Sequence, residues 1–441
     1  MSPPSPTSCA PASSTDGGDV PSEREFLEQV HANLPRNYSA HLLHGLLGQT
    51  GFRLVQAPTF VPAYLQLLSG SDLVVGLARG AQALGQCLTP IFGATLIEHR
   101  RRVLGLGLVV GALMRLQVLF FALAGLLLVG NLRIAAICGF LALFGLFMGM
   151  QGVIFNVLRS KVIPVERRGV LSGLRNALAG LVSSGVAYLG GRYLVEPNVL
   201  GNGYAVTFLV AFGFTTMGLA SLLLMKEPAS PTVRVRTSVA GRLRDALPLL
   251  RADRDYAGYV VARACARMGQ MSLPFCILYA KTQMVVDGGD LGLITAAWQL
   301  SSTTTGLFWG LVADRTGFRL IFLVSIAIWM ASVAALIASA GFVALLLVFI
   351  GIGAGMGGFQ MAAQNMVLEF GGREDLPLRI ALTNTTAEIV GVIGPVSGGL
   401  IALWFGYLPV FWVALAFQGA ALAIMWLRVR EPRTRGELVL E

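Results

Sequence analysis

The stretch FVALLLVFIGIGAGMGGFQMAAQNMVL, residues 342–368, holds 27 positions without one charged side chain. A helix rises 1.5 Å per residue, so ~20 apolar residues in a row cross the ~30 Å hydrocarbon core of a bilayer. A surface helix of a soluble protein would carry charge on one face, and this one has none. Residues 134–158 form a second uncharged run. The same reading, carried outward, predicts twelve spans. Six lie near 39–68, 72–97, 103–129, 134–163, 170–194 and 202–225. Six more lie near 256–281, 289–312, 319–340, 342–369, 378–403 and 407–428. Several exceed the minimum length, which implies tilt or extension past the lipid. Composition agrees: 55% of the 441 residues are hydrophobic and 13% charged, too few to coat a soluble domain of this size.

The net charge of +10 comes from 30 Arg and 3 Lys. In a soluble chain such a balance would suggest nucleic acid. Here the charges sit in short loops, so no nucleic-acid partner is expected. With the N-terminus inside, 24 basic residues fall on the cytoplasmic side. Three, Arg133, Arg192 and Lys281, fall outside, and six lie within spans. The positive-inside rule then predicts a multi-pass protein of a bacterial inner membrane, or of a membrane derived from it, with both termini cytoplasmic. Its anionic cytoplasmic leaflet would be a partner of the basic loops.

Residues 1–36 read as a cytoplasmic tail. The opening is Ser/Pro/Thr-rich, lacks a signal-peptide pattern and is expected to be disordered. Ser22 and Glu25 then form a capping-box pattern before Phe26, Leu27, Val30 and Leu34, which predicts a short amphipathic helix. Residues 226–255 form a basic linker, with Leu243, Leu247 and Leu250 spaced to lie on a membrane surface or to remain solvated. Residues 429–441 form a second tail. The linker separates two bundles, 37–225 and 256–428, and these repeat. Gly149, Gln151 and Asn156 of the fourth span recur as Gly358, Gln360 and Asn365 of the tenth. Asn176 recurs as Asn384, and Gly93 and Gly310 end the second and eighth spans. Parallel repeats of this kind put a binding site near the midplane between the halves.

The loop after the eighth span reads Gly310-Leu-Val-Ala-Asp314-Arg315-Thr-Gly317-Phe-Arg319. It resembles the signature loop of the major facilitator superfamily, Gly-x-x-x-Asp-Arg/Lys-x-Gly-x-Arg/Lys. The resemblance implies an all-α membrane protein with twelve transmembrane helices in two pseudo-symmetric six-helix bundles. It also implies a gating role for Gly310, Asp314, Arg315, Gly317 and Arg319. Gly310 would let two helices approach closely, and the arginines would bind carboxylates or helix-terminal carbonyls. The matching loop of the first half, Gly93-Ala-Thr-Leu-Ile-Glu98-His99-Arg100, has its acid displaced by one position. The run Gly391-Val-Ile-Gly394-Pro395-Val-Ser-Gly398-Gly399 resembles the Gly-Pro helix of drug/proton antiporters. In those proteins the motif belongs to the fifth span, and here a kinked, closely packed helix is the favoured explanation.

Charge within the bilayer is costly and normally faces a cavity or a partner. Arg53 lies mid-depth in the first span and Arg267 at similar depth in the seventh, with Arg263 one turn earlier. Such a pair resembles an anion clamp; internal pairing with Glu388 or with helix carbonyls is the alternative. Glu388, the only acid deep in a span, is the candidate for proton coupling, with Arg79 as its possible partner across the halves. Gln151, Asn156, Gln360 and Asn365 are candidates for substrate contact or for helix–helix hydrogen bonds. Arg115 is expected to pair internally and Arg175 to reach the surface. His41 and His44 share a helix face and give weak support for a metal. Trp404, Tyr407 and Trp412 would form an outer aromatic belt. The five Cys form no metal or disulfide pattern, no nucleotide motif is present, and no cofactor is expected. With four His and one deep acid, an enzyme is not expected. The reading is a secondary active transporter of a small solute, working by alternating access, proton-coupled, with an anionic substrate. Efflux of an amphipathic drug or metabolite, transport of a metal or metal chelate, and a non-transporting sensor or assembly partner are the alternatives.

Overall fold

A computed structural model of the chain describes residues 22–97, 100–231, 249–339, 341–370 and 376–432, and no strand occurs among them. Ser22 begins the first helix, Glu23–Ala32, and the capping box closes in both directions: Glu25 N–H donates to Ser22 Oγ at 3.3 Å and Ser22 N–H to Glu25 Oε2 at 2.9 Å. The expected disordered opening, the Leu243–Leu247 part of the linker and the C-terminal tail beyond 432 lie outside the described residues.

Twelve spans follow among the described residues. The first is broken into Leu34–Gln56 and Phe60–Ser69, because Pro58 cannot donate into a helix and disfavours helical backbone at Ala57. The second is broken at Thr89, ahead of Pro90, into Asp72–Leu88 and Pro90–Ile97. The third, fourth and fifth are Leu104–Leu127, Gly130–Val162 and Val165–Gly190, the last ending in a wider π turn, Gly191–Val195. The sixth is Gly203–Ser221. The seventh is Arg254–Gly269 and Leu273–Gln283, joined by the tighter turn Gln270–Ser272. The remaining five are Gly288–Thr316, Phe318–Ala338, Phe342–Asn365, Leu376–Phe405 and Tyr407–Arg428. Eight of the helices are single rods long and apolar enough to cross a membrane. The other four spans are the three broken ones and the eighth, whose polar run from Gln299 through Thr305 lowers its hydropathy.

Large apolar side chains stay exposed around the outside, among them Leu127, Val343, Trp404, Phe405, Trp412 and Trp426. A water-soluble surface would not leave a belt this large uncovered. The protein is therefore an integral, multi-pass membrane protein. Tyr407 departs from the expected aromatic belt: it turns inward, and its hydroxyl donates to Asp72 Oδ1 at 2.8 Å.

The halves meet through the second and eleventh spans and through the fifth and eighth. Small residues permit that contact. A Cβ on Gly76 would sit 2.5 Å from the Pro395 carbonyl oxygen, and one on Gly191 2.2 Å from that of Gly288. These contacts lie toward the end of the molecule that carries the turns at Gly70 and Gly406. Toward the other end, a Cβ on Gly169, Gly173, Gly306 or Gly310 would meet nothing within 4 Å. The bundle pair is thus closed at one end and parted at the end that carries the arginine-rich loops.

Candidate functional site

A cavity of about 550 Å³ lies between the halves, beside the break in the first span. Gln56, Asn176, Gln299, Ser302, Thr303, Gln360, Gln364 and Asn365 give it amide and hydroxyl groups, and Trp298 gives it an aromatic face. Among the described residues that line it, Arg53 alone is ionisable. Arg53 Nη1 donates to Thr303 Oγ1 at 2.9 Å and Nη2 to the Asn176 carbonyl at 3.4 Å. One guanidinium therefore touches the first, fifth and eighth spans, and so bridges the two halves.

The break holds Arg53 in place. An interrupted helix leaves carbonyls without their usual donors, and lipid offers none. Arg79 of the second span supplies them: Nη2 donates to the Ala57 carbonyl at 2.7 Å, and Nη1 to the Val55 carbonyl at 3.3 Å and Gln82 Oε1 at 3.0 Å. Beyond the break, Thr59 Oγ1 lies 2.6 Å from Thr295 Oγ1 of the eighth span. Arg79 is consequently not the partner of Glu388. That partner is Arg267, whose Nη2 stands 3.7 Å from Glu388 Oε2 and whose Nη1 donates to Gln270 Oε1.

The arginines of the two halves are not used alike. Arg267 does not line the cavity, and neither does Arg263, which donates to Asn384 Oδ1 at 3.0 Å. By its contacts Arg263, not Arg267, corresponds to Arg53: each arginine meets the repeated asparagine, Asn176 or Asn384. The repeated amides also separate. Gln360 and Asn365 line the central cavity, whereas Gln151 and Asn156 line a smaller cleft of about 260 Å³ in the first half, together with His41 and His44. His44 Nδ1 donates to the Gly218 carbonyl at 2.9 Å. Among the described residues no three His, Cys, Asp or Glu side chains gather where they could hold a metal. Arg115 is buried, with Nε donating to the Thr215 carbonyl at 2.6 Å and Nη1 to that of Gly111 at 2.7 Å. Its partners are helix carbonyls rather than an acid. Arg175 crosses Gly45, where a Cβ would lie 1.6 Å from its Cδ. The hydroxyl run of the eighth span and Trp298 are site residues beyond those the sequence reading names. The signal was there, in consecutive Ser and Thr residues within an apolar span.

Residues 259–440 match the sequence model of the Major Facilitator Superfamily. The matched stretch lies in the second half of the chain. A 163-residue stretch is 30% identical to the multidrug resistance protein MdtG of Yersinia enterocolitica, covering 36% of this chain and 39% of that protein. A 161-residue stretch is 23% identical to the hexuronate transporter of Bacillus subtilis, covering 36% and 38%. The matched stretches thus span well under half of those relatives' own length. The fold resembles that of a D-xylose-proton symporter, with a TM-score of 0.69 at 14% identity over 90% of this chain and 98% of that one. It also resembles the nucleoside transporter NupG, with a TM-score of 0.67 at 13% identity over 88% and 98%.

Within this fold the loop from Gly310 to Arg319 has distinct local roles. Gly317 turns the chain with φ +82°, a conformation that side chains resist, and a Cβ there would lie 2.3 Å from Glu431 Cδ. Arg319 Nη2 donates to the Trp426 carbonyl at 2.9 Å and Nε to that of Met425 at 3.4 Å, capping the end of the twelfth span. Arg315 is exposed. Gly310 corrects an expectation: its face opens on empty space, because the halves are parted there, and it carries no close helix contact. Gly93 does carry one, since a Cβ would lie 2.8 Å from the Met150 carbonyl oxygen. Glu98 and the side chain of Asp314 lie outside the described residues.

Proposed function

We propose that this protein is a secondary active transporter of a small hydroxylated organic anion, moved by alternating access and coupled to protons. The observation that carries the reading is Arg53, the one ionisable group among the described lining of a cavity otherwise furnished with amides and hydroxyls. Its present acceptors are a neutral hydroxyl and a carbonyl. A carboxylate binds a guanidinium more strongly and in two-pronged geometry, so it would displace them. The amides then suit hydroxyls of the ligand, and about 550 Å³ admits a solute the size of a sugar acid. The name of one relative, a hexuronate transporter, points the same way.

With the arginine-rich end on the cytoplasmic side, the structure corresponds to an inward-open state. Glu388 is the proposed coupling site. Its pairing with Arg267 at 3.7 Å would be lost on protonation, freeing the arginine and loosening the seventh span from the eleventh. A second reading, efflux of an amphipathic drug, draws on the MdtG relatives and on Leu273, Leu307, Met356 and Met361 in the same lining.

Uptake into proteoliposomes with an imposed pH gradient tests both readings, with glucuronate and ethidium as the two solutes. Saturable glucuronate flux lost in Arg53→Ala supports the anion reading. Ethidium flux that survives Arg53→Ala, without glucuronate flux, overturns it in favour of drug efflux.

A further inference from the structure

The smaller cleft of the first half belongs to none of the chemistry above. It runs between the first and fourth spans and shares no residue with the central cavity. Phe52, Met148 and Phe155 give it apolar walls, and Arg159 and Arg175 stand on its lining without any Asp or Glu among the described residues there. Arg159 donates only to neutral groups, Ser172 Oγ at 3.1 Å and Asn156 Oδ1 at 3.1 Å. Arg159 held against neutral groups, with the Arg175 side chain on the same lining, makes this semi-apolar cleft favour an anion.

A second observation points to a ligand. His41 is 1% exposed and lines the cleft, yet neither of its ring nitrogens meets a hydrogen-bond partner. Gln151, 3% exposed, lines it too, and its Oε1 is likewise unpartnered. Buried polar atoms are nearly always satisfied. Two such residues on one small cleft mark a place where something else supplies the partner.

We propose that this cleft is a second binding site, for an aromatic monocarboxylate that carries a hydroxyl on the far side of its ring. The ring lies among Phe52, Met148 and Phe155. The carboxylate meets Arg159 and Arg175, and the hydroxyl serves His41 or Gln151. A volume of about 260 Å³ suits a single substituted ring rather than a larger drug. The site stands whether or not the central cavity takes a sugar acid.

The test is calorimetric titration of the full-length protein in detergent with 4-hydroxybenzoate, benzoate and glucuronate. Arg175→Gln should weaken 4-hydroxybenzoate binding about tenfold or more, the scale of a lost charge-assisted hydrogen bond. Gly152→Leu should abolish it. Gly152 lines the cleft and a Cβ there meets nothing within 4 Å, so the new side chain fills the space without displacing backbone. His41→Phe should erase the preference for 4-hydroxybenzoate over benzoate. Arg53→Ala should leave all aromatic binding intact while glucuronate binding is lost; loss of glucuronate binding in the wild type would strike the central-cavity reading alone. No 4-hydroxybenzoate binding by the wild type overturns the proposal. So does binding that survives Gly152→Leu or disappears with Arg53→Ala.

Discussion

Tyr407 and Asp72 are joined by a hydrogen bond of 2.8 Å between the first residue of the twelfth span and the first residue of the second. It ties one half to the other at the closed end. The second and eleventh spans touch nearby, and the fifth and eighth close the opposite flank. A bond of this kind exists only while that end is shut, so it contributes to the balance between the two states of the protein and not to the fold of either half.

Tyr407→Phe should therefore shift the population toward the state open at that end. A hydrogen bond to a charged group is worth about 1.5–3 kcal/mol, and a shift of roughly tenfold in the equilibrium is expected. Spin labels at Leu67 and Val285, both exposed and on opposite halves, would report it as a longer distance component. An unchanged distance distribution would remove the bond as a determinant of the equilibrium.

Arg79→Ala should lower stability instead. It strips the donors from the Val55 and Ala57 carbonyls at the break of the first span. Each buried acceptor left without a partner costs about 1–3 kcal/mol. Arg79→Lys should recover only part of that, because one ammonium cannot reproduce the planar fork that reaches two carbonyls and Gln82. The denaturation midpoint in detergent measures both. A midpoint for Arg79→Ala equal to that of the wild type would mean that the break is satisfied some other way.

The same arginine illustrates what the sequence could and could not convey. Apolar runs, loop charges and the six-plus-six repeat are properties of the chain read along its length, and they were legible. So was depth: counting from the start of a span placed Arg53, Arg79, Arg115 and Arg267 within the bilayer. Facing was not legible. Each residue turns about 100° around a helix axis, and the breaks at Ala57 and at Gln270–Ser272 reset that phase. Depth was legible only to within a turn: position along the span pairs Arg267 with Arg53, while the contacts assign that place to Arg263, four residues earlier on the same helix face. The break beside Pro58 falls inside a stretch that reads as one continuous span, and the donor that satisfies it stands on another helix. The motif implies a helix contact at Gly310, yet in a state parted at that end a Cβ there has nothing within 4 Å to touch.

Glu388→Gln should separate substrate binding from its driving force. The amide keeps the shape of the carboxylate and removes both the proton site and the charge that holds Arg267 at 3.7 Å. Exchange of substrate across the membrane at equal pH should persist. Accumulation driven by a pH gradient should fall to the level without one. Full gradient-driven accumulation in the variant would exclude Glu388 as the coupling site.

Gly191→Val should impair the closed end by steric means. At Gly191 a Cβ would lie 2.2 Å from the Gly288 carbonyl oxygen and 2.6 Å from Gly292 Cα, both backbone atoms. Backbone cannot rotate aside as a long side chain can, so the fifth and eighth spans must separate to admit the valine. Gly185, in the same span, is the control: a Cβ there meets nothing within 4 Å, and Gly185→Val makes the same chemical change without the contact. Neither position lies in the central cavity or the smaller cleft, so substrate affinity measured on the open face should be preserved in both. Transport requires the end near Gly191 to close once per cycle. Turnover should fall about tenfold or more in Gly191→Val, the cost of a clash near 1.4 kcal/mol or above, while Gly185→Val stays near the wild-type rate. Equal turnover in the two variants would show that the closed end tolerates a looser contact than the one described.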